Sequence, residues 1–242
     1  YTTLFRSEVA AVVAEERVPV AVTGAGNPTK YMAAWNGAGV KVIPVVASCA
    51  MAKLVARAGA VAVVAEGGES GGHVGDLTTM ALVPQVVDTV DIPVIAAGGI
   101  ADGRGVAAAF MLGAQGVQVG TRFLVAEECT VSQEYKNRVL KAKDLSTTVT
   151  GRRTGHPVRS LKSPFTTNYA NIEKATLNDD DLHGLSAGAL RKAAQEGDAE
   201  GGQFMCGQIA GLVTKEEPAA AIVADLMEGA EKVLRSADQW LR

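Results

Sequence analysis

One histidine lies inside a glycine-rich stretch of the chain, AEGGESGGHVGDLTTM, residues 65–80, which holds five glycines. His73 is flanked there by Gly71, Gly72 and Gly75, and the apolar run AVAVV precedes the stretch. An imidazole donates or accepts a proton near neutral pH, and glycine lets the backbone approach a ligand and present bare N–H groups. We predict that His73 is exposed at a strand end and is a catalytic, proton-handling residue. The alternative is a histidine that satisfies a loop carbonyl.

The remaining histidines and the cysteines show no spacing typical of a metal site or a disulfide framework. We expect His156 and His183 to be structural or solvent-facing. Cys49, Cys129 and Cys206 lie far apart, without a CxxC or Cys/His pattern. This usage predicts structural thiols, a reducing cytoplasmic compartment and no bound metal.

Two further glycine clusters follow apolar runs. Gly98 and Gly99 come after PVIAA, and Gly120 and Thr121 come after GVQV. Loops after the last two strands of a βα barrel often bind phosphate through backbone amides, so we predict a phosphate cradle formed by these four residues. The alternative is simple tight turning. Arg122 could add positive charge to the cradle or form a salt bridge outside it.

Alternating apolar runs and helical patterns predict the elements that position these loops. The strands are predicted at 18–26, 40–46, 60–66, 92–100 and 115–123. The helices are predicted between them at 28–39, 48–59, 78–90 and 103–114. Near-continuous apolar strands are typical of parallel strands buried on both faces, so the repeat predicts a (β/α)8 barrel or a doubly wound sheet. In either fold the active site lies at the carboxyl ends of the strands, where every glycine cluster falls.

Smaller signals mark the ends of these elements. Ser48 is a predicted helix N-cap and Gly59 a helix end, and Asp102 is expected to cap the helix after the second glycine pair. Asp76 to Thr79 are expected to begin a helix. Glu66, at the end of the third strand, could bond a ligand or cap its own loop.

The chain changes character after Phe123. The pattern predicts a polar helix over 126–144, an irregular basic stretch over 147–170, and a helix with a glycine-rich turn within 184–217. An amphipathic helix is predicted over 218–241, with Pro218 in its first turn.

Composition excludes several classes of partner. Hydrophobic residues make up 48% of the 242 residues, enough for the core of one large domain, while the net charge is −3 without a basic block. Nucleic acid is therefore not an expected partner. No apolar run approaches the roughly 18 residues of a membrane span, so no membrane association is expected.

The first seven residues, YTTLFRS, lack a methionine and a clear periodicity. We predict that residues 1–7 are a non-native leader, that residues 8–125 form a partial barrel and that residues 126–242 form a post-barrel extension. Only five βα units are visible, whereas a complete barrel has eight strands. The predicted fold is therefore a TIM-type α/β barrel without its first strands, followed by a C-terminal helical extension.

Several blocks carry a resemblance to a known family. They are GAGNPTKYM, EGGESGGHVGDLTTM, PVIAAGGIADGRGVAAAFMLGAQGVQVGTRFLVAEE and GQIAGLVTKEE. They resemble the FMN-dependent enoyl-acyl-carrier-protein reductase II family, which is related to nitronate monooxygenases (2-nitropropane dioxygenases). The resemblance extends from about Glu8 to the C-terminus. The blocks GQIAGLVTKEE and GHPVRSLKS look more like the reductase.

The resemblance implies a barrel with FMN at its mouth and a nicotinamide nucleotide, NADH or NADPH, as co-substrate. Hydride then goes to the β-carbon of a trans-2-enoyl thioester linked to acyl carrier protein, and the α-carbon is protonated. His73 matches the catalytic histidine of the family. The cofactor-binding positions implied are Gly24, Asn27, Glu66, Gly71, Gly72, Ala97, Gly98, Gly99, Gly120 and Thr121. Dependence on a monovalent cation stays open, and the composition is compatible with a homodimer.

The chain departs from the family at its front, where an N-terminal flavin loop has no counterpart. We expect the 242-residue chain alone to bind FMN poorly and to be inactive. Two other functions stay open. One is a nitronate monooxygenase that uses the same histidine as a base on a nitroalkane, and the other is a non-catalytic barrel that binds a phosphate ligand.

Overall fold

The computed structural model describes residues 4–175 and 178–240. The strands are β1 (Val20–Thr23), β2 (Lys41–Val46), β3 (Val63–Glu66), β4 (Gly72–His73), β5 (Val94–Ala97), β6 (Gly116–Gln118), β7 (Thr147–Thr150) and β8 (Val158–Leu161). The α-helices are α1 (Leu4–Glu15), α2 (Thr29–Gly37), α3 (Cys49–Arg57), α4 (Thr79–Val87), α5 (Gly103–Met111), α6 (Gln133–Leu140), α7 (Pro164–Ala175), α8 (Asp179–Ser186), α9 (Ala189–Arg191) and α10 (Ala219–Arg235). Of the proposed leader, residues 1–3 lie outside the described residues, and Leu4–Ser7 belong to α1.

The chain forms two compact units. The first comprises the residues up to 67, with 76–97 and 109–118, and the second comprises 68–75, 98–108 and the residues from 119 onward. All five strands predicted for the βα repeat belong to the first unit. The glycine-rich loops that follow β3, β5 and β6 belong to the second unit.

The first unit is built on a five-stranded parallel sheet in the order β1-β2-β3-β5-β6. Each strand lies beside the strand that precedes it in the βα repeat, without the reversal of order that marks a doubly wound sheet. This winding confirms the predicted α/β fold of the TIM-barrel type. The central strand β3 shows why its sequence is so uniformly apolar, since Val63, Val64 and Ala65 are all buried.

One helix of the first unit, α3, begins and ends where its capping residues predict. The Ser48 hydroxyl accepts a hydrogen bond from the Met51 amide at 3.2 Å, which caps α3. Gly59 follows the same helix with a φ of +93°, a left-handed conformation that favours glycine. These two residues confirm the boundaries that the sequence assigned to this βα unit.

The second unit contains a small antiparallel sheet in the order β4-β8-β7. Strands β7 and β8 pair from Thr147 with Leu161 to Thr150 with Val158. The prediction of an irregular stretch over 147–170 is therefore wrong, because the segment holds two strands and the start of α7. The strands TTVT and VRSL are short, partly buried and rich in polar residues. They therefore do not show the apolar run on which the strand predictions were based.

Three further boundaries differ from the prediction. The strand expected over 115–123 ends at Gln118, and Thr121–Val125 form a 3-10 helix. The helix expected over 126–144 covers only Gln133–Leu140, since the Ser132 hydroxyl caps it by accepting from the Tyr135 amide. The C-terminal helix stops at Arg235, and Ala237–Trp240 continue as a 3-10 helix.

The core of the second unit gathers side chains that are far apart in sequence. Tyr135 and Phe204 meet edge to face with ring centroids 5.1 Å apart, and the Tyr135 hydroxyl donates to the Met205 carbonyl at 2.5 Å. The Met205–Gln208 segment is thereby anchored in a packed core.

Among the described residues, no helix combines the length and the apolar character that a membrane crossing requires.

Candidate functional site

His73 lies on the short strand β4 rather than in an irregular loop. It pairs with Val158 of β8, and the following Val74 amide donates to the Pro157 carbonyl at 3.0 Å. The side chain of His73 is exposed, as the sequence predicted. The backbone that carries the imidazole is therefore fixed by a neighbouring strand, while the ring is accessible to a substrate.

The segment just before His73 is held from two directions. From β8, Arg159 donates from its Nε and Nη2 atoms to the Gly68 carbonyl at 3.2 Å and 2.9 Å. From the other direction, the Gln208 amide donates to the Glu69 carbonyl at 2.9 Å. Sequence reasoning did not single out Arg159 or Gln208, although both lie within blocks that carry the family resemblance.

Gly71 has a close neighbour that the sequence did not reveal. A Cβ placed on Gly71 would lie 2.5 Å from the carbonyl carbon of Cys206 and 2.7 Å from the amide nitrogen of Gly207. The sequence-based reason for this glycine was backbone approach to a ligand. The structure supplies a different reason, because protein backbone occupies the space where a side chain would be. Contact of Gly71 with a cofactor stays a prediction.

Gly207 joins two of the predicted site segments. Its amide donates to the Thr121 Oγ1 atom at 2.8 Å, and a Cβ on Gly207 would lie 2.7 Å from the Glu69 carbonyl oxygen. Thr121 and the segment before His73 are thus packed on the same glycine. The structure therefore brings together, within the second unit, two segments that the sequence assigned separately to proton transfer and to phosphate binding.

The second glycine cluster also belongs to this part of the second unit. Gly98 and Gly99 have φ values of +89° and +73°, which residues other than glycine rarely adopt. A Cβ on Gly99 would lie 3.6 Å from the Glu69 side chain, so this glycine packs against the segment before His73. Asp102 then caps α5 as predicted, accepting from the Arg104 amide at 2.9 Å. The side-chain hydrogen bond from Arg104 lowers the pKa of the Asp102 carboxyl.

Gly120 has open space where a side chain would be. Among the described residues, apart from its chain neighbours, no atom lies within 4 Å of a Cβ placed there, and the 3-10 helix that begins at Thr121 follows directly. The first amides of a helical turn have no partner within the helix, so they are suited to an anion. Arg122 resolves the alternative left open by the sequence, because its Nη2 atom is buried against Glu217 Oε2 at 2.5 Å. It forms a salt bridge within the second unit.

Four of the predicted cofactor-binding residues belong to the first unit. The Ala97 carbonyl accepts from the Gly67 amide at 2.9 Å and from the Thr79 hydroxyl at 3.3 Å. The Asn27 side chain accepts from the Thr29 amide at 3.0 Å. The remaining two residues lie at the carboxyl ends of their strands, Glu66 closing β3 and Gly24 following β1. Their contact with a cofactor stays a prediction.

Burial sets the protonation of the groups beneath the site. It raises the pKa of the Cys206 thiol to about 12, so the thiol is neutral and does not serve as a nucleophile at neutral pH. Burial likewise raises the pKa of Tyr135. His156 is exposed, and the side chain of His183 lies outside the described part of the chain. His73 is thus the histidine that the structure places among the predicted site segments of the second unit.

Solved and curated proteins resemble this chain over most of its length. FabK from Thermotoga maritima is 46% identical, with a TM-score of 0.94 over 99% of this chain and 76% of that chain. A (3aS,4S,5R,7aS)-5-hydroxy-7a-methyl-1-oxo-octahydro-1H-indene-4-carboxyl-CoA dehydrogenase from Rhodococcus jostii is 46% identical over 148 residues, 61% of this chain and 42% of that protein. A probable nitronate monooxygenase from Staphylococcus saprophyticus is 37% identical over 212 residues, 81% of this chain and 58% of that protein.

The chain spans only part of each of these curated relatives, 42% of the first and 58% of the second. A family model described as nitronate monooxygenase matches residues 3–229, which is nearly the whole chain. The parallel βα sheet, the exposed His73 and the glycine-rich strand ends all fall within that match. The chain belongs to the nitronate monooxygenase family, whose members are FMN-dependent oxidoreductases.

Proposed function

We propose that the protein is an FMN-dependent reductase of trans-2-enoyl thioesters that uses NADH or NADPH, with the acyl group linked to acyl carrier protein. The observation that carries the proposal is the match to FabK, at 46% identity and a TM-score of 0.94 over 99% of the chain. A second relative at 46% identity is named a carboxyl-CoA dehydrogenase, which supports a thioester as the substrate class.

The residues of the second unit fit the phosphate of FMN. Gly120 has open space where a side chain would be, and the amides that begin the Thr121–Val125 turn are suited to an anion. Gly98 and Gly99 would contribute further backbone amides. Bound FMN would supply hydride transfer from the nicotinamide to the β-carbon of the enoyl thioester.

In this proposal His73 handles the proton. Its exposed imidazole would donate a proton to the substrate α-carbon, which a histidine does efficiently because its ordinary pKa lies near neutral pH. The pairing of β4 with β8 fixes the backbone from which the His73 side chain extends. Orientation of the reacting groups is one of the larger sources of rate enhancement in a transfer reaction.

Nitronate monooxygenase activity is the second candidate. It is favoured by the description of the family model and by the relative from Staphylococcus saprophyticus. The same imidazole would then act as the base that removes a proton from a nitroalkane. The two reactions differ in their reactants, since the reductase consumes nicotinamide nucleotide while the monooxygenase consumes oxygen with a nitronate.

The test compares both substrates with the protein as its gene encodes it. Anaerobically reduced protein is mixed with crotonyl thioester, and flavin reoxidation is followed by absorbance. In parallel, the oxidised protein is mixed in air with the nitronate of nitroethane, and oxygen consumption is measured. We expect reoxidation by the thioester. His73→Gln should lower turnover by about 100-fold or more without loss of flavin, because general acid–base catalysis contributes at least that much. His156→Gln, another exposed histidine of the second unit, is the matched control and should keep full turnover.

The outcomes separate the candidates. Oxygen-dependent turnover of the nitronate without any reaction of the thioester would establish the second candidate instead. Full turnover by His73→Gln would remove this histidine from the mechanism and place catalysis on other residues, whereas no turnover of either substrate by the wild type would favour a binding function.

A further inference from the structure

Arg159 connects strand β8 to the glycine-rich segment that precedes His73. It lies half-buried on β8, and its guanidinium is directed at the glycine-rich segment before His73. The Nε and Nη2 atoms both donate to the Gly68 carbonyl, at 3.2 Å and 2.9 Å. A forked pair of charged donors on one carbonyl is stronger and more directional than a single neutral hydrogen bond.

The same residue also holds the far end of that segment. The backbone of Arg159 pairs in register with Gly72, directly before His73 on β4. One residue therefore fixes both ends of the stretch GESGG, residues 68–72. Three of these five residues are glycine, so the stretch has much backbone freedom to lose and would move without such a clasp.

A third contact orients the guanidinium itself. The Nη1 atom donates to the Thr147 hydroxyl oxygen on β7 at 3.1 Å. All three strands of the small sheet therefore take part. Strand β8 carries Arg159, β7 supplies the Thr147 hydroxyl that orients its guanidinium, and β4 carries His73. Burial lowers the pKa of Arg159, with Arg152 acting in the same direction and Glu69 opposing it. The guanidinium stays charged at neutral pH, since an arginine is not deprotonated in proteins.

We propose that Arg159 is a positioning residue, which sets the direction of the His73 ring by clasping residues 68–72 against β8. This inference rests on the proposed function, in which His73 handles the substrate proton. The clasp acts through Gly68 and Gly72 and not by contact of Arg159 with substrate. Loss of the clasp should therefore reduce kcat more than it raises KM, because the substrate still binds beside a misdirected imidazole.

The experiment uses the protein as its gene encodes it and two independent measurements. Amide hydrogen exchange of the peptide that covers residues 68–73 reports the clasp directly, whatever the substrate. Steady-state kinetics with crotonyl thioester report its effect on catalysis. The variants are Arg159→Ala and Arg159→Lys. The control is Arg153→Ala, which removes a guanidinium that donates to a different carbonyl, that of Glu173, at 3.1 Å.

We expect the backbone amides of residues 68–73 to exchange at least about tenfold faster in Arg159→Ala than in the wild type. We also expect kcat to fall by about 10- to 100-fold while the flavin content is retained. Added ethylguanidinium should restore part of the kcat of Arg159→Ala, because the half-buried site is open to small solutes. Arg159→Lys should recover little, since one ammonium cannot reproduce the fork on Gly68 and also reach Thr147. Arg153→Ala should match the wild type in both measurements.

Three outcomes would overturn the inference: unchanged exchange in Arg159→Ala, a loss of kcat that only follows a loss of flavin, or full recovery by Arg159→Lys. Failure of the proposed function is distinguishable from these. In that case the wild type itself would not turn over the thioester, while hydrogen exchange would still decide whether Arg159 clasps the segment.

Discussion

Substitution of Gly71 by alanine should destabilise the protein strongly, because backbone atoms already occupy the position of the new methyl group. The methyl carbon would lie 2.5 Å from the carbonyl carbon of Cys206, 2.6 Å from its α-carbon and 2.7 Å from the Gly207 amide nitrogen. All three neighbours are backbone atoms, so none can rotate away as the end of a side chain could. The two segments must therefore separate.

The cost of that separation follows from the hydrogen bonds of the Gly207 and Gln208 amides, which move when Cys206 and Gly207 are displaced. The Gln208 amide donates to the Glu69 carbonyl at 2.9 Å, and the Gly207 amide donates to the Thr121 hydroxyl at 2.8 Å. Losing two such bonds costs about 2 kcal/mol, at about 1 kcal/mol each. Lost packing brings the expected loss in the free energy of unfolding to about 3 kcal/mol, the upper part of the range for overpacked sites.

The assay is urea unfolding of the flavin-free protein, together with its Tm. A loss of about 3 kcal/mol corresponds to a Tm lower by about 6–12 °C for a chain of this size. Gly120→Ala is the matched control, because no described residue other than its chain neighbours lies within 4 Å of the new methyl group and its φ of −109° suits alanine. It should unfold within about 0.5 kcal/mol of the wild type. If Gly71→Ala lost less than about 1 kcal/mol, the close approach of the two segments would be refuted.

Two further substitutions test buried groups of the second unit. Arg122→Ala should lower the free energy of unfolding by about 3 kcal/mol in urea, the lower end for a broken buried pair, because Glu217 loses its buried partner but keeps its pair with the exposed Lys215. The double variant Arg122→Met with Glu217→Leu should recover most of that loss, and no recovery would contradict a pairwise cause. Native protein treated with iodoacetamide at about pH 8 should be alkylated at Cys49 and Cys129 but not at Cys206, since burial holds the pKa of that thiol at about 12. Because the folded state retains this proton above the ordinary thiol value of 9.0, stability should fall as the pH rises from there toward about 12. The fall should be smaller in Cys206→Ala, where the buried Tyr135, whose pKa is also raised, still contributes to it. Mass spectrometry of the peptides reads out the alkylation, and labelling of Cys206 at the rate of Cys129 would contradict its burial.

The local sequence predicted the elements of the first unit because their signals are short-range. Buried parallel strands read as apolar runs, and Ser48 and Gly59 end helices for reasons that lie within a few residues. The exposure of His73 also followed from its glycine neighbours. The family blocks were recognisable without any knowledge of the contacts they make.

The small sheet that carries His73 could not be predicted in this way. Strands β7 and β8 are polar and half-buried, and their pairing depends on a turn and on β4, which ends at residue 73, far before β7 begins at residue 147. No apolar alternation distinguishes them from a loop. The strand expected to reach residue 123 ended early for a related reason, because the 3-10 helix from Thr121 is stabilised by Gly207, far along the chain.

By itself the sequence determined the βα repeat and the glycines at the strand ends, and it predicted His73 as the proton-handling residue. Only the tertiary structure decided what those glycines and charges contact. Arg159 and Gly68 are 91 residues apart, and the salt bridge that settled the role of Arg122 spans 95. Burial periodicity and turn chemistry are written locally, whereas the partner of a carbonyl or a guanidinium is fixed only when distant segments pack together.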